Sequence, residues 1–280
     1  MTRLRTEDIE HILKELETYE QQLLNRTGNT LRGIACHAVD LRDDELEKIV
    51  KSFRICVIPL TCGRGVINRF SATVSGIISH LGFQSFVAQH SDAAGIAEAC
   101  ERKSDIVFLA DDDRFVAINV QTKYVADNAE MTAKGFVAGL DLLAGGLEGK
   151  NVLVLGCGEV GRCTARTLVT KGVLASVCDI NPQRTSAVQE KIMDEQKTTI
   201  QIDNHWRSTP GKYQYLIDAT NSANCIDARV IASDTYVAVP GVPCGLSSEV
   251  RSELSNRYLH DPLQIGVATM VIDACRQRNA

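Results

Sequence analysis

Val152-Leu153-Val154-Leu155-Gly156-Cys157-Gly158-Glu159-Val160-Gly161 decides the fold of this chain. A short apolar run enters a G-x-G-x-x-G turn, and Asp179 stands eighteen positions after Gly161. The glycines permit a tight turn and close approach of backbone to a pyrophosphate. The helix that follows points its free N–H groups and positive dipole end at the phosphates. Glycine-rich turns are common, so the flanks carry the assignment. A strand-like run precedes the turn, the helix-like Gly161 to Lys171 follows, and Ala175-Ser176-Val177-Cys178-Asp179 reads as a second strand. This is a βαβ dinucleotide unit. At the end of its second strand, Asp179 is placed to accept hydrogen bonds from the adenosine ribose hydroxyls. A carboxylate there repels a 2′-phosphate, so the expected cofactor is NAD rather than NADP. The candidate cofactor residues here are Gly156, Gly158, Glu159, Val160, Gly161, Asp179 and its neighbour Ile180.

Working downstream, Tyr215 to Thr220, Tyr236 to Val239 and a short run near Tyr258 read as further strands. Ligands in an open α/β sheet bind beyond the carboxyl ends of the strands. Three such ends follow: Asp218-Ala219-Thr220-Asn221-Ser222, Val239-Pro240-Gly241-Val242-Pro243 and His260-Asp261-Pro262-Leu263-Gln264-Ile265-Gly266. Thr220, Asn221, Pro240, Gly241 and Gly266 join the cofactor candidates. The proline-flanked segment suits a wall beside a nicotinamide ring; the plain alternative is an ordinary turn. Leu263 to Arg278 reads as an amphipathic helix that packs back on the first half.

Upstream, residues 6 to 25 read as one amphipathic helix, with Thr6 placed to cap it. A second helix is expected over Asp43 to Phe53. Both precede any strand, which suggests an appendage or a lid. From Arg54 the chain alternates: strand Ile55 to Leu60, a glycine loop Thr61 to Gly65, helix Asn68 to Leu81, strand Ser85 to Ala88, helix Ala93 to Arg102, strand Ile106 to Ala110, then Phe115 to Val120. That order predicts a small parallel sheet of its own. Ala129 to Ala144 reads as a connecting helix ended by Gly145-Gly146. The expected fold is α/β, with a C-terminal Rossmann domain and an N-terminal α/β substrate domain preceded by helices. The expected domains are 1–146 for the substrate side, 147–262 for NAD, and 263–280 for the returning helix.

Charge and composition narrow the classes. Formal net charge is −5 and no basic run occurs, which argues against nucleic acid as a partner. No apolar stretch approaches the length of a membrane span or a signal-peptide core, so a cytoplasmic protein is expected. The ten cysteines are scattered, with no C-x-x-C, and the six histidines lack ligand spacing. Reduced, mostly buried thiols and no metal are the expectation.

Two segments outside the nucleotide unit carry candidate chemistry. Asp111-Asp112-Asp113 follows directly on a buried-looking strand. A run of acids is usually a solvated turn. At a strand's carboxyl end, however, burial raises a carboxylate toward the range of a general base, so Asp111 is the candidate catalytic residue. The loop Thr61-Cys62-Gly63-Arg64-Gly65 ends a strand and begins a helix, where Thr61 and backbone N–H groups suit a carboxylate. Cys62 has no histidine nearby in sequence and makes a poor nucleophile candidate.

Several segments together resemble the pyrrolysine synthases. They are Ile58 to Ile67, Leu81 to Phe86, Leu109-Ala110-Asp111-Asp112, Phe115 with Asn119, Gly156 to Gly161, Pro240 to Cys244 and Asp261 to Gly266. The similarity runs in order from Arg54, with a further match around Leu4 to Ile9. It implies NAD-dependent oxidation of the terminal amine of L-lysine-Nε-3-methyl-D-ornithine, loss of ammonia and water, and closure of the pyrroline ring of pyrrolysine. It also implies a homodimer. By resemblance Asp111 holds the place of the family's catalytic aspartate, and Thr61, Cys62, Arg64 and Asn119 line the substrate pocket. Leu4 belongs to a covering helix. The family's loop carries serine and asparagine where this chain has Cys62 and Arg64. Two alternatives are a related NAD-dependent amino-acid or imine oxidoreductase of other specificity, and a cofactor-binding protein without turnover.

Overall fold

The computed structural model describes residues 4–61 and 67–276. The N-terminal helix is broken in two: α1 (Thr6–Ile9) and α2 (Ile12–Thr27), with Glu10 and His11 at the turn between them. Arg5, not Thr6, is the capping position. Its backbone is extended, and Asp8 accepts its N–H at 2.6 Å. Gly28 ends α2 in the left-handed region at φ 70°, where glycine carries no Cβ penalty. A helix that the sequence reading passed over, α3 (Leu31–Ala38), comes next. Thr30 caps it by accepting the Gly33 N–H at 3.0 Å. Leu31, Ile34, Ala35, Cys36 and Ala38 are buried while Arg32 and His37 stay partly exposed, but eight residues fall short of the window of about 11–18 over which a helical period is read. α4 (Asp43–Ile49) follows, and a 3-10 turn, Val50–Ser52, replaces the expected last helical turn. These helices are not an appendage. Ile9, Ile12, Leu23, Ile34 and Leu46 enter the main hydrophobic core.

The first sheet contains β1 (Arg54–Val57), then after α5 (Phe70–His80) β2 (Gln84–Val87), and after α6 (Asp92–Glu101) β3 (Ile106–Ala110), β4 (Phe115–Asn119) and β5 (Val125–Asp127). Its order is β2-β1-β3-β4-β5. The first three strands are parallel, but β4 and β5 run antiparallel, with Ala110 opposite Phe115 and Ile106 opposite Asn119. The sheet is therefore mixed, not parallel as the alternation suggested. The cause is loop length: four residues, 111 to 114, join β3 to β4. A parallel crossover needs about a dozen or more.

α7 (Asn128–Leu143) crosses to the second sheet, which holds β6 (Asn151–Leu155), α8 (Glu159–Thr170), β7 (Leu174–Cys178), α9 (Pro182–Gln196), β8 (Gln201–Ile202), β9 (Tyr215–Asp218), β10 (Tyr236–Val239), α10 (Ser248–Leu254) and β11 (Tyr258–His260). All six strands are parallel in the order β11-β10-β9-β6-β7-β8. Counted from β6, this is the 3-2-1-4-5-6 order of a doubly wound dinucleotide fold, and the topological switch lies between β6 and β9.

α11 (Gln264–Arg276) returns to the first sheet, packing on β3, β4 and β5 and against α7, α3 and α5. Twelve of its thirteen residues are buried, so it is a core helix rather than the amphipathic one expected. Gly135 lets α7 lie against it: a Cβ there would stand 2.4 Å from Ile265 Cγ2. One continuous core runs from Phe108 of the first sheet through Ile272 to Val154 of the second. Among the described residues, no helix is long and apolar enough to cross a membrane.

Candidate active site

The glycine loop is tied down on both sides. Gly156 lies at φ 86°, and its N–H donates to the Cys178 carbonyl at 2.8 Å. A Cβ on Gly161 would fall 1.8 Å from the Gly156 oxygen, so α8 begins in contact with the loop backbone. Gly158 precedes α8 as its cap, and a Cβ there would meet nothing within 4 Å. The loop thus leaves an open cradle over a helix N-terminus, the feature a pyrophosphate requires. Asp179 follows β7. Its Oδ2 accepts the Cys157 N–H at 2.7 Å and its Oδ1 the Asn181 N–H at 2.8 Å. Ile180 beside it is fully exposed. The Glu159 carboxylate pairs with Arg162 at 2.6 Å, and Val160 faces the cleft described below.

At the switch point, Thr220 donates its N–H to Asp218 Oδ1 at 3.0 Å, and Gly241 donates its N–H to the Asp218 carbonyl at 3.1 Å. A Cβ on Gly241 would lie 2.1 Å from the Thr220 oxygen, so the ends of β9 and β10 close on each other. Asn221 is exposed at this rim. Asp218 itself is fully buried, and burial pushes its carboxyl upward.

A cleft of about 420 Å³ opens where the carboxyl ends of the two sheets face each other. From the first sheet come Ile58, Leu60, Ala110, Asp111 and Asp112. From the second come Val160, Pro240, Val242, Asp261 and Gly266. Leu4, Arg5 and Thr6 close one side. Asp111 and Leu4 both line this cleft. The upward shift expected for the Asp111 carboxyl is reversed. It is exposed, and its Oδ1 accepts the Arg114 N–H at 2.7 Å and the Asp113 N–H at 2.8 Å. Those two backbone donors hold its carboxyl below the ordinary aspartate range. The hairpin between β3 and β4 supplies them, and a helical crossover would not have.

Asn119 is not in the cleft. It sits at the opposite end of the first sheet, paired with Ile106 at the start of β3. Its Nδ2 donates to the Ala274 carbonyl at 2.9 Å, and its Oδ1 accepts the Gln121 and Thr122 N–H groups at 3.1 Å each. Antiparallel β4 carries it there, where it pins the end of α11. Thr61 is exposed and also outside the cleft lining. Its N–H donates to Asp92 Oδ1 at 2.9 Å, and its hydroxyl bonds Asp92 Oδ2. Cys62 and Arg64 lie outside the described residues.

The sequence reading missed Asp261. It is 3 % exposed, lines the cleft, and accepts the N–H groups of Leu263 at 3.0 Å and Ile265 at 3.3 Å plus the hydroxyl of Tyr19. An acid between a strand and a proline at a helix start was the available signal. The nine described cysteines are free thiols; burial pushes Cys157 up to about 12 and Cys225 up to about 11. Among the described residues no cluster of three or more His, Cys, Asp or Glu could hold a metal ion.

Residues 8–126 match the family model described as Pyrrolysine biosynthesis protein PylD, N-terminal domain. The Pyrrolysine synthase of Methanosarcina barkeri (strain Fusaro / DSM 804) is 29% identical over 273 residues, covering 97% of each chain. That of Methanosarcina acetivorans is 27% identical over 273 residues, 97% of this chain and 98% of the other. Over nearly its whole length this chain is similar to the pyrrolysine synthases. Its fold is shared with the quinate dehydrogenase from Corynebacterium glutamicum in complex with NAD, at a TM-score of 0.55 and 16% identity over 80% of this chain and 92% of that one. At that identity the likeness concerns the architecture, two α/β sheets facing across a cleft. In the pyrrolysine synthase frame, the ordered match from Leu4 to Gly266 converges on this cleft from both sheets, while Asn119 and Thr61 stand apart from it.

Proposed function

We propose that this pyrrolysine synthase homologue uses NAD to oxidise the terminal amine of the ornithine part of L-lysine-Nε-3-methyl-D-ornithine. The imine so formed takes up a water and releases ammonia, the ornithine α-amine attacks the resulting aldehyde, and expulsion of a water closes the pyrroline ring of L-pyrrolysine, so that the net loss is one ammonia. One observation carries the reading. A single cleft joins the Asp111-Asp112 turn to Val160, Pro240 and Gly266 at the carboxyl ends of the Rossmann strands. Both the sequence relatives and the NAD-bound structural neighbour fit this reading. The open cradle at Gly158 and the Asp179 carboxylate fit a dinucleotide, and the carboxylate fits NAD better than its 2′-phosphate.

The nicotinamide, when bound, supplies the hydride acceptor. Gly156, Gly158 and Gly161 hold the pyrophosphate, and Asp179 the ribose. Pro240, Gly241 and Gly266 shape the inner wall. Asp111 is a low-range carboxylate, so at neutral pH it is ionised. Its role is then to attract the substrate ammonium and stabilise the cationic iminium that develops as hydride leaves, while the amine proton passes out at the open mouth. The apolar side of the cleft, with Leu4, Ile58 and Leu60, limits water around the reacting carbon. In this reading residues 1–146 provide the substrate side, 147–262 the nucleotide side and 263–280 the helix that joins them. The protein works in the cytoplasm as a homodimer.

The test is incubation of purified protein with NAD and the lysine–3-methyl-D-ornithine amide, following NADH absorbance and product mass, with Asp111→Asn alongside. NADH with the mass of the cyclised imine, lost in the variant, is expected. NAD binding without turnover of the amide would instead favour an amino-acid or imine oxidoreductase of other specificity.

A further inference from the structure

Asp261 and Tyr19 are 242 positions apart in the chain, yet the Tyr19 hydroxyl donates to Asp261 Oδ2. The bond joins Asp261 of the cleft wall to α2, two parts of the molecule that nothing in the sequence connects. Asp261 leads from β11 into α11, and through the Leu263 and Ile265 N–H groups it caps that helix, whose Gly266 lines the cleft. Tyr19 stands on α2, which continues back through His11 to α1 and to Leu4, Arg5 and Thr6 on the cleft's other side. The same carboxylate, with Val242 and Pro262, forms a partition. The cleft lies on one face of it and a second cavity of about 360 Å³ beneath α1 and α2 on the other.

We propose that Tyr19 and Asp261 act as a positioning pair, fixing the α1–α2 cover and the nucleotide-side wall to each other so that the cleft keeps one shape. This rests on the cleft being the reaction site named above. The donors found on Asp261 are neutral, namely one phenol and two backbone N–H groups, so the pair works through direction rather than charge neutralisation. Burial pushes the Tyr19 phenol well above its ordinary range, which keeps its proton in place as donor. Burial also pushes the Asp261 carboxyl upward, against the pull of that hydrogen bond. Both residues act on the reaction only through what they hold: Asp261 through the α11 terminus, Tyr19 through Asp261.

The test uses Tyr19→Phe, which removes one oxygen and keeps the ring, together with Asp261→Asn and the double variant. In Tyr19→Phe, kcat for the amide should fall roughly ten- to hundredfold with NAD affinity unchanged, as displacement of a positioned wall produces. The double variant should be no worse than the poorer single one, because the two groups form one unit. Without any substrate, hydrogen exchange should quicken together in α1–α2 and at Leu263 to Gly266. Wild-type kcat in a folded Tyr19→Phe protein overturns the pair. So does a double variant whose loss is the product of the two single losses, or faster exchange confined to α2. Failure of the wild-type protein to turn over the amide would sink the proposed function instead, and the exchange measurement would still decide the pair.

Discussion

The Asp179 carboxylate accepts the Cys157 N–H at 2.7 Å, so the residue expected to read the ribose also braces the glycine loop. Its other oxygen accepts the Asn181 N–H, and Asn181 in turn caps α9 by accepting the Gln183 N–H at 3.0 Å. Three backbone segments therefore share one short side-chain chain. Asp179→Asn keeps one acceptor oxygen, sets an NH2 group against the other N–H, and removes the negative charge. The expected outcome is a folded protein whose preference for NAD over NADP is reduced. Asp179→Arg should go further, weakening NAD and shifting preference toward NADP. Titration with both dinucleotides checks this; an unchanged preference in both variants would show that Asp179 does not face the ribose.

Gly158 and Gly161 separate two functions of the loop. A Cβ at Gly161 collides with the Gly156 carbonyl at 1.8 Å, backbone against backbone, whereas at Gly158 it enters open space. Gly161→Ala should shift α8 and lower stability by about 1–3 kcal/mol, the usual range for overpacking. Gly158→Ala should leave Tm unchanged and still weaken NAD, because the added methyl group stands where the pyrophosphate approaches. Thermal melts with and without NAD distinguish the two. Equal Tm losses in both variants would contradict the assignment of Gly158 to the cradle.

The nucleotide side was legible because local rules fix it. The loop glycines, the acid after β7 and the polar or proline-rich ends of β9 and β10 all lie within short segments whose geometry is set by sequence neighbours. The substrate side was less so. Asp111 and Leu4 reach the cleft, but Asn119 does not, because its position depends on the direction of β4. The four-residue connection at 111–114 already demanded an antiparallel turn; strand-by-strand alternation hid it. The same hairpin supplies the N–H groups that reverse the expected shift of Asp111. α11 has no period to detect because it is buried on nearly every side, whereas α3, at eight residues, is too short for its period to stand out. The Tyr19–Asp261 contact lies beyond any local rule, since it joins the two ends of the chain.

Glu98 gives the pH dependence a definite sign. Partial burial raises its carboxyl, but hydrogen bonds from the His90 N–H, Arg102, the His90 ring and the Gln89 N–H outweigh it and bring it from 4.5 down to about 2. A carboxyl depressed in the folded state contributes stability that is complete above its unfolded value and is lost as pH falls through the folded one. Glu98 should therefore stabilise the α6 end of the first sheet above pH 4.5 and progressively less toward pH 2. Glu98→Gln should lower Tm at pH 7, and the gap from the wild-type protein should narrow on acidification. A gap constant from pH 7 to pH 3 would mean that the charge on Glu98 contributes nothing.

Asn119 is a support of the fold rather than of the chemistry, and that distinction is measurable. Its amide donates to the Ala274 carbonyl inside α11 and accepts two N–H groups of the β4–β5 turn. Asn119→Ala leaves the Ala274 carbonyl without that donor, at a cost of about 1–3 kcal/mol. For a chain of this size that corresponds to a fall in Tm of roughly 2–4 °C for each kcal/mol. Because the residue sits at the far end of the sheet from Asp111, KM for the amide and kcat per folded molecule should match the wild-type protein. Asp111→Asn should do the reverse, with Tm nearly kept and turnover lost. A raised KM in Asn119→Ala at a temperature where it is fully folded would return Asn119 to the substrate pocket and require β4 to run the other way.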